Sequence, residues 1–199
     1  MNSIRSFISL NIDSSLISRL KLIQDDIRIM LKDHKVKWEN PDKFHMTLRF
    51  LGDIEESNIT EISAELGSVM LGFDNIRMTA SGIGFFPNQK RPNVVFIDLT
   101  GEGNFSEQLV NEIDNKLNRF GFKPDKKFVP HVTVGRFRRE NRKGLHEQIN
   151  VNVEPIEIIF DSFYLMKSVL KPGGSVYEVL QEYKFITNRF PLSPKVKRE

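Results

Sequence analysis

Two short stretches constrain this chain more than any others: FHMTLRF, residues 44–50, and PHVTVGRF, residues 130–137. Apolar and polar side chains alternate in both with a period of two, as expected of a half-buried strand whose successive side chains point to opposite faces. In the first stretch Phe44, Met46, Leu48 and Phe50 take one face, and His45, Thr47 and Arg49 the other. In the second, Val132 and Val134 face the core while His131, Thr133 and Gly135 face away. The pattern returns after 86 positions, a spacing that suits a lobe-sized duplication rather than a solenoid. Threonine is scarce, with six in 199 residues. Two His-x-Thr hits among four histidines would therefore arise in roughly 0.5% of shuffled chains, before strand context is counted. Such strands side by side would line one groove with two histidines and two threonines.

The remaining pattern supplies the frame. RSFISLNI reads as a strand and SSLISRLKLIQDDIRIMLKD as a helix, with Leu16, Leu20, Ile23, Ile27 and Met30 or Leu31 inward and Asp13 or Ser14 as cap. VKWEN is a short extended piece. SNITEISAELGSVM predicts a second helix, with Ile62, Leu66 and Val69 inward. NFSEQLVNEIDNKLNRF predicts a third, with Phe105, Leu109, Ile113 and Leu117 inward and Gly121 ending it. IRMTASGIGFF and NVVFIDLTG read as strands joined by the turn PNQKRP, and the last strands flank the Pro-Gly-Gly at 172–174. Strand pairs joined by turns, interleaved with helices, predict an α+β fold of mostly antiparallel sheet. Residues 1–186 read as one domain. The polar, Pro-containing stretch 187–199 is expected to be a disordered basic tail.

Composition narrows the function. The chain has no cysteine, so no disulfide, thiolate nucleophile or cysteine-based metal site, which fits a reducing cytoplasm. No stretch approaches a membrane span and the start does not read as a signal peptide. Net charge is +3, which permits an anionic partner. Basic residues cluster at Lys123, Lys126 and Lys127 and at Arg136, Arg138, Arg139, Arg142 and Lys143, on either side of the second motif. That placement suggests a phosphate-facing rim. His34 and His146 lie in polar stretches and read as surface, and Trp38 as structural.

Paired imidazoles, hydroxyls and a cation suit acid/base chemistry at phosphorus. One imidazole can take a proton while its twin gives one, the threonines can donate to phosphate oxygens, and a cation can offset the developing charge. Two histidines without a carboxylate at ligating spacing leave a metal shell short. SGIGFF is not a nucleophile elbow, no Gly-Lys-Ser/Thr phosphate loop is present, and Lys171 lies in no nucleotidyl-acceptor motif. Phe85 and Phe86, ahead of Pro87, are candidates to stack a nucleobase.

FHMTLRFLGD and FVPHVTVGRF resemble the two signatures of the two-histidine (2H) phosphoesterase superfamily, in its RNA 2′,3′-cyclic phosphodiesterase (2′-5′ RNA ligase) branch. The resemblance runs over roughly residues 4–182 and includes VKWENPDKFHMTLRFLGD, GIGFFP and SFYLMKSVLKPGGSVYEVL. It implies a bilobal α+β fold: two pseudo-symmetric lobes of mostly antiparallel sheet, helices packed outside and a central cleft. It also implies a metal-independent enzyme without cofactor, acting as a monomer on RNA or nucleotides with 2′,3′-cyclic phosphate ends to give 2′-phosphomonoesters. His45 would be the proton donor and His131 the proton acceptor. Thr47, Thr133 and Arg136 would bind phosphate, with Phe85, Phe86 and Arg49 as candidate substrate contacts. Strict alternation turns Arg136 to the core side, so its role needs a bulge, which Gly135 would permit. The alternatives are 2′-5′ ligation or 2′-5′ phosphodiesterase activity in the same site, and a non-catalytic RNA-binding domain.

Overall fold

A computed structural model describes residues 2–101, 103–122, 127–138, 145, 149, 151, 153–172 and 174–186. The stretch 187–199 lies outside the described residues, as do Lys123, Lys126, Arg139, Arg142, Lys143 and His146. Strands are β1 (Ser3–Asn11), β2 (Val36–Trp38), β3 (His45–Glu55), β4 (Ile76–Phe86), β5 (Val94–Gly101), β6 (His131–Phe137), β7 (Ile156–Phe160), β8 (Ser162–Lys171) and β9 (Gly174–Lys184). Helices are α1 (Ser14–Met30), α2 (Ile59–Val69) and α3 (Phe105–Leu117). The strands form one antiparallel sheet in the order β7-β4-β5-β6-β3-β1-β8-β9, with β2 on β6. Its two halves meet between β6 and β3, where a single pair, Met46 opposite Val132, bridges them.

Helices cover the face away from the histidines. Asp13 caps α1 by accepting from the Ser15 N–H at 2.8 Å, and Leu20, Ile23 and Ile27 are buried. The buried Gln24 donates from Nε2 to the Val134 and Glu39 carbonyls, both at 2.9 Å, and so ties α1 to the back of β6. Helices α2 and α3 back the other half. Tyr183 Oη on β9 donates to the Ser63 carbonyl on α2 at 3.2 Å. Ile62, Leu66 and Val69 are buried as their spacing predicts. In α3 the inward stripe is Leu109, Ile113 and Leu117, and Gly121 follows the helix at φ +82°. Phe105 departs from the expected stripe: it starts the helix and is 50% exposed.

Each His-x-Thr strand carries the same irregularity. Against β1, Ser9 pairs with Thr47 and Ile8 with Arg49, so Leu48 is an extra residue. Against β5, Phe96 pairs with Thr133 and Val95 with Gly135, so Val134 is extra. A bulge inserts one residue and reverses the facing of all that follow. Arg136 is thereby exposed on the histidine face, where strict alternation would have turned it to the core. Glycine is not what permits this, because β3 makes the same bulge with arginine. Gly135 instead fits a narrow gap: a Cβ there would lie 2.7 Å from Val36 Cγ1 and 2.9 Å from Trp38 Cε3.

The same bulge overturns two expectations in β3. Arg49 leaves the histidine face, lies buried and pairs with Asp114 of α3 at 3.0 Å. Phe50, expected in the core, is 67% exposed on the histidine face instead. Arg49 is therefore a structural cation and not a substrate contact. Breaking a buried ion pair strands its partner's charge. Arg49→Met should destabilise the protein by about 3 kcal/mol in urea denaturation, and Arg49→Met with Asp114→Leu should recover much of that loss.

Candidate active site

The bridging register decides how the two motifs meet. With Met46 opposite Val132 in antiparallel strands, His45 stands level with Thr133 and Thr47 level with His131. The two motifs are thus self-complementary about a local two-fold at the bridged pair. Met46 and Val132 point into the core, both fully buried, while the two histidines and two threonines are half-buried on the other face.

Both imidazoles are fixed the same way. His45 Nδ1 lies 2.7 Å from the Lys43 carbonyl, and His131 Nδ1 lies 2.7 Å from the Val129 carbonyl. A carbonyl only accepts, so Nδ1 carries the proton in each ring and Nε2 is left to react. Thr47 Oγ1 is 3.1 Å from His45 Nε2, and its hydroxyl donates to that lone pair in the neutral ring. Aromatic rings hold the imidazoles from both sides. His45 packs on Phe7 at 5.1 Å and takes the edge of Tyr177 at 5.4 Å. His131 packs on Phe96 at 5.1 Å and against Phe86 at 4.9 Å. Phe86 stacks on Phe96 at 4.3 Å, and the Phe96 ring lies over Gly84, where a Cβ would sit 2.3 Å from Cζ. The glycine in GIGFF thus makes room for the ring beneath His131.

The structure sorts the remaining candidates. Phe86 lies in the site, but Phe85 turns to the opposite face, packs on Phe137 at 6.3 Å and joins the core. Phe85 is therefore not a substrate contact, because neighbours in a strand cannot share a face. Arg136 Nε donates to Glu39 Oε1 at 3.2 Å. Arg138 and Lys127 are exposed. His34 is half-buried, edge-on to Phe137, and Trp38 packs on the core beneath the Arg28 guanidinium at 5.3 Å. Sequence reasoning missed Glu39, Tyr177, Phe50 and Asp98. Alternation along VVFIDL places Phe96 and Asp98 on one face, a signal present in the sequence for the last of these.

Burial dominates the electrostatics. Desolvation holds the His45 pKa below the ordinary imidazole value, assisted by positive charge on His131 and Arg136 and opposed by the Lys43 carbonyl and Glu39. The His131 pKa is lowered too, chiefly by desolvation and also by Arg136, while the Val129 carbonyl and Asp98 oppose the shift. Burial raises the Tyr177 phenol, with Glu39 adding to the rise. Among the described residues no group of three or more histidine, aspartate or glutamate side chains is placed to hold a metal ion.

Fold and site together define a two-histidine phosphoesterase. The chain belongs to the LigT-like phosphoesterase family, whose model matches residues 10–96 and 104–177. The RNA 2′,3′-cyclic phosphodiesterase of Thermotoga maritima is 30% identical over 181 residues, covering 91% of this chain and 95% of the relative. That of Archaeoglobus fulgidus is 32% identical, covering 90% of this chain and 99% of its own. Among solved structures, TT0787 of Thermus thermophilus superimposes with a TM-score of 0.77 at 26% identity, over 92% of this chain and 98% of that one. Escherichia coli LigT, crystallised with 3′-AMP, shares the fold with a TM-score of 0.71 at 19% identity, over 92% and 99%.

A histidine whose folded pKa is depressed binds protons more readily when unfolded. Stability should therefore be full well above the ordinary imidazole value of 6.5 and fall as pH drops through it. Thermal melts between pH 8 and 5 should show that decline, and it should be shallower in His45→Gln/His131→Gln.

Proposed function

We propose that the protein hydrolyses 2′,3′-cyclic phosphate ends of RNA to 2′-phosphomonoesters, with His131 as base and His45 as acid. The observation that carries the reading is the pair of imidazoles on adjacent strands, each held by a backbone carbonyl at Nδ1 and level with a threonine across the seam. His131 Nε2 takes a proton from water, the water oxygen bonds to phosphorus, and the bond from phosphorus to O3′ breaks. A protonated His45 Nε2 supplies the proton that O3′ needs. Substrate phosphate favours that protonated form, because its negative charge offsets the burial that disfavours imidazolium. Thr47 and Thr133 donate to the non-bridging oxygens, and Arg136 turns from Glu39 toward the phosphate. Phe50, exposed beside Phe7, offers a flat face to a nucleobase.

The names of the Thermotoga and Archaeoglobus relatives support this substrate. No helix among the described residues is long and apolar enough to cross a membrane. The working form in this reading is a cytoplasmic monomer.

The test is hydrolysis of a nucleoside 2′,3′-cyclic phosphate in EDTA, with the product isomer identified. A 2′-phosphate is expected, and kcat should fall by about 10² to 10⁴ in both His45→Ala and His131→Ala. A 3′-phosphate would reverse which oxygen leaves. Turnover only with added divalent metal, or full activity in either variant, would overturn the mechanism. Phe50→Ala should raise KM several-fold, by about 1 kcal/mol of lost stacking, with kcat little changed.

A further inference from the structure

Among the described residues, Asp98 is the one carboxylate paired across the ladder with a site histidine. In β5 it stands directly opposite His131, and both face the cleft. The corresponding position in the other half-sheet is Asn11, directly opposite His45 in β1. The two motifs match at the histidine, the threonine and the bulge, yet at this position they differ by one charge.

The two partners also differ in how they are satisfied. Asn11 is engaged, accepting through Oδ1 from the Ser9 hydroxyl at 2.8 Å. Among the described residues the Asp98 carboxylate makes no ion pair and no hydrogen bond to another side chain. It is half-buried, with Gly82 facing it across the next strand. Its pKa is raised by desolvation, against a backbone hydrogen bond at Leu99 and the charge of His131. A half-exposed carboxylate directly across the ladder from a site histidine, and not committed to another side chain, is placed to act on the charge of that ring.

The Nδ1 side of His131 is already taken by the Val129 carbonyl, so Asp98 does not set the tautomer as a triad carboxylate does. It acts through space. The charged groups around His131 are Asp98 from β5, Arg136 from β6 and, across the seam, His45 of β3. Arg136 opposes an imidazolium there and Asp98 favours it. The carboxylate near His45 is Glu39, which is already paired with Arg136.

We propose that Asp98 is a positioning residue that makes His131 the proton-accepting member of the pair, by stabilising the positive charge this ring gains as water loses its proton to Nε2. The proposal rests on the phosphodiesterase reading for its catalytic consequence, but the coupling itself is a property of the free protein. Asn11 gives His45 no carboxylate across the ladder, and the carboxylate that does favour imidazolium there, Glu39, is shared with Arg136 in the free protein.

The experiment is a histidine NMR titration of the full chain with Asp98→Asn, Asn11→Asp and the exchange Asn11→Asp/Asp98→Asn. All three are close to isosteric, and the dispersion of the spectra reports folding directly. Asp98→Asn should lower the His131 pKa and leave His45 in place. Asn11→Asp should raise His45. With a nucleoside 2′,3′-cyclic phosphate, Asp98→Asn should lower kcat on the order of tenfold at unchanged KM and move the acid limb of the pH profile downward. An unmoved His131, or equal movement of both rings, overturns the proposal whatever the activity. A His131 shift without loss of kcat leaves Asp98 a mere electrostatic neighbour and also overturns it. Absence of turnover in the wild type would sink the phosphodiesterase reading while the titration still decides the coupling.

Discussion

One bridged pair, Met46 opposite Val132, holds the two half-sheets in the register on which everything in the cleft depends. Each histidine immediately precedes the bridging residue of its strand. Antiparallel pairing then brings each imidazole level with the other strand's threonine. A slip of either strand by one residue would turn its histidine toward the helix face and expose its bridging side chain. Complete burial of Met46 and Val132 opposes that slip, so packing on the helix face fixes chemistry on the other. Gln24 adds to this by tying α1 to the backbone of β6 within the second motif.

The duplicated bulge divides the labour along each strand. Before it, alternation delivers imidazole and hydroxyl to the cleft. After it, the same strand delivers Phe50 in one half and Arg136 in the other. The residues the bulge sends inward differ as well, an ion-paired arginine against α3 and a glycine wedged between Val36 and Trp38. The halves thus share a backbone design and diverge in the side chains attached to it.

Much of this was legible in the sequence because period-two alternation is a local property. The element order, the helix stripes at Leu20, Ile23 and Ile27 or Ile62, Leu66 and Val69, and the cleft-facing pairs at 45/47 and 131/133 all follow from it. Several failures share one physical cause, facing inferred across a point where the local rule changes. Arg49 and Phe50 lie just past a bulge that β1 imposes through its pairing, which no single-strand pattern contains. Phe105 sits at the first turn of its helix, before the inward stripe begins. Phe85 and Phe86 cannot both reach the cleft, since adjacent strand residues take opposite faces, and only the sheet's packing selects Phe86. Tyr177 and Asp98 come from strands distant in sequence from the histidines they approach, and the sheet order brings them there; Glu39 lies shortly before His45, in the link between β2 and β3.

The electrostatic character follows from what the cleft excludes. Rings of Phe7, Phe86, Phe96 and Tyr177 keep water off the imidazoles, and desolvation outweighs every nearby charge in setting the histidines. Glu39 adds a different consequence. Holding Arg136 at 3.2 Å, it serves as a resident anion in the resting cleft. In the proposed reading, a phosphate that engages this guanidinium competes with the tethered carboxylate, which stands ready to reclaim it. A bare arginine would grip substrate and product phosphomonoester alike. On that reading the internal competitor would lower both affinities together, and because the product would carry the greater negative charge, it would matter most after the bond has broken, when the site has to empty for the next RNA end.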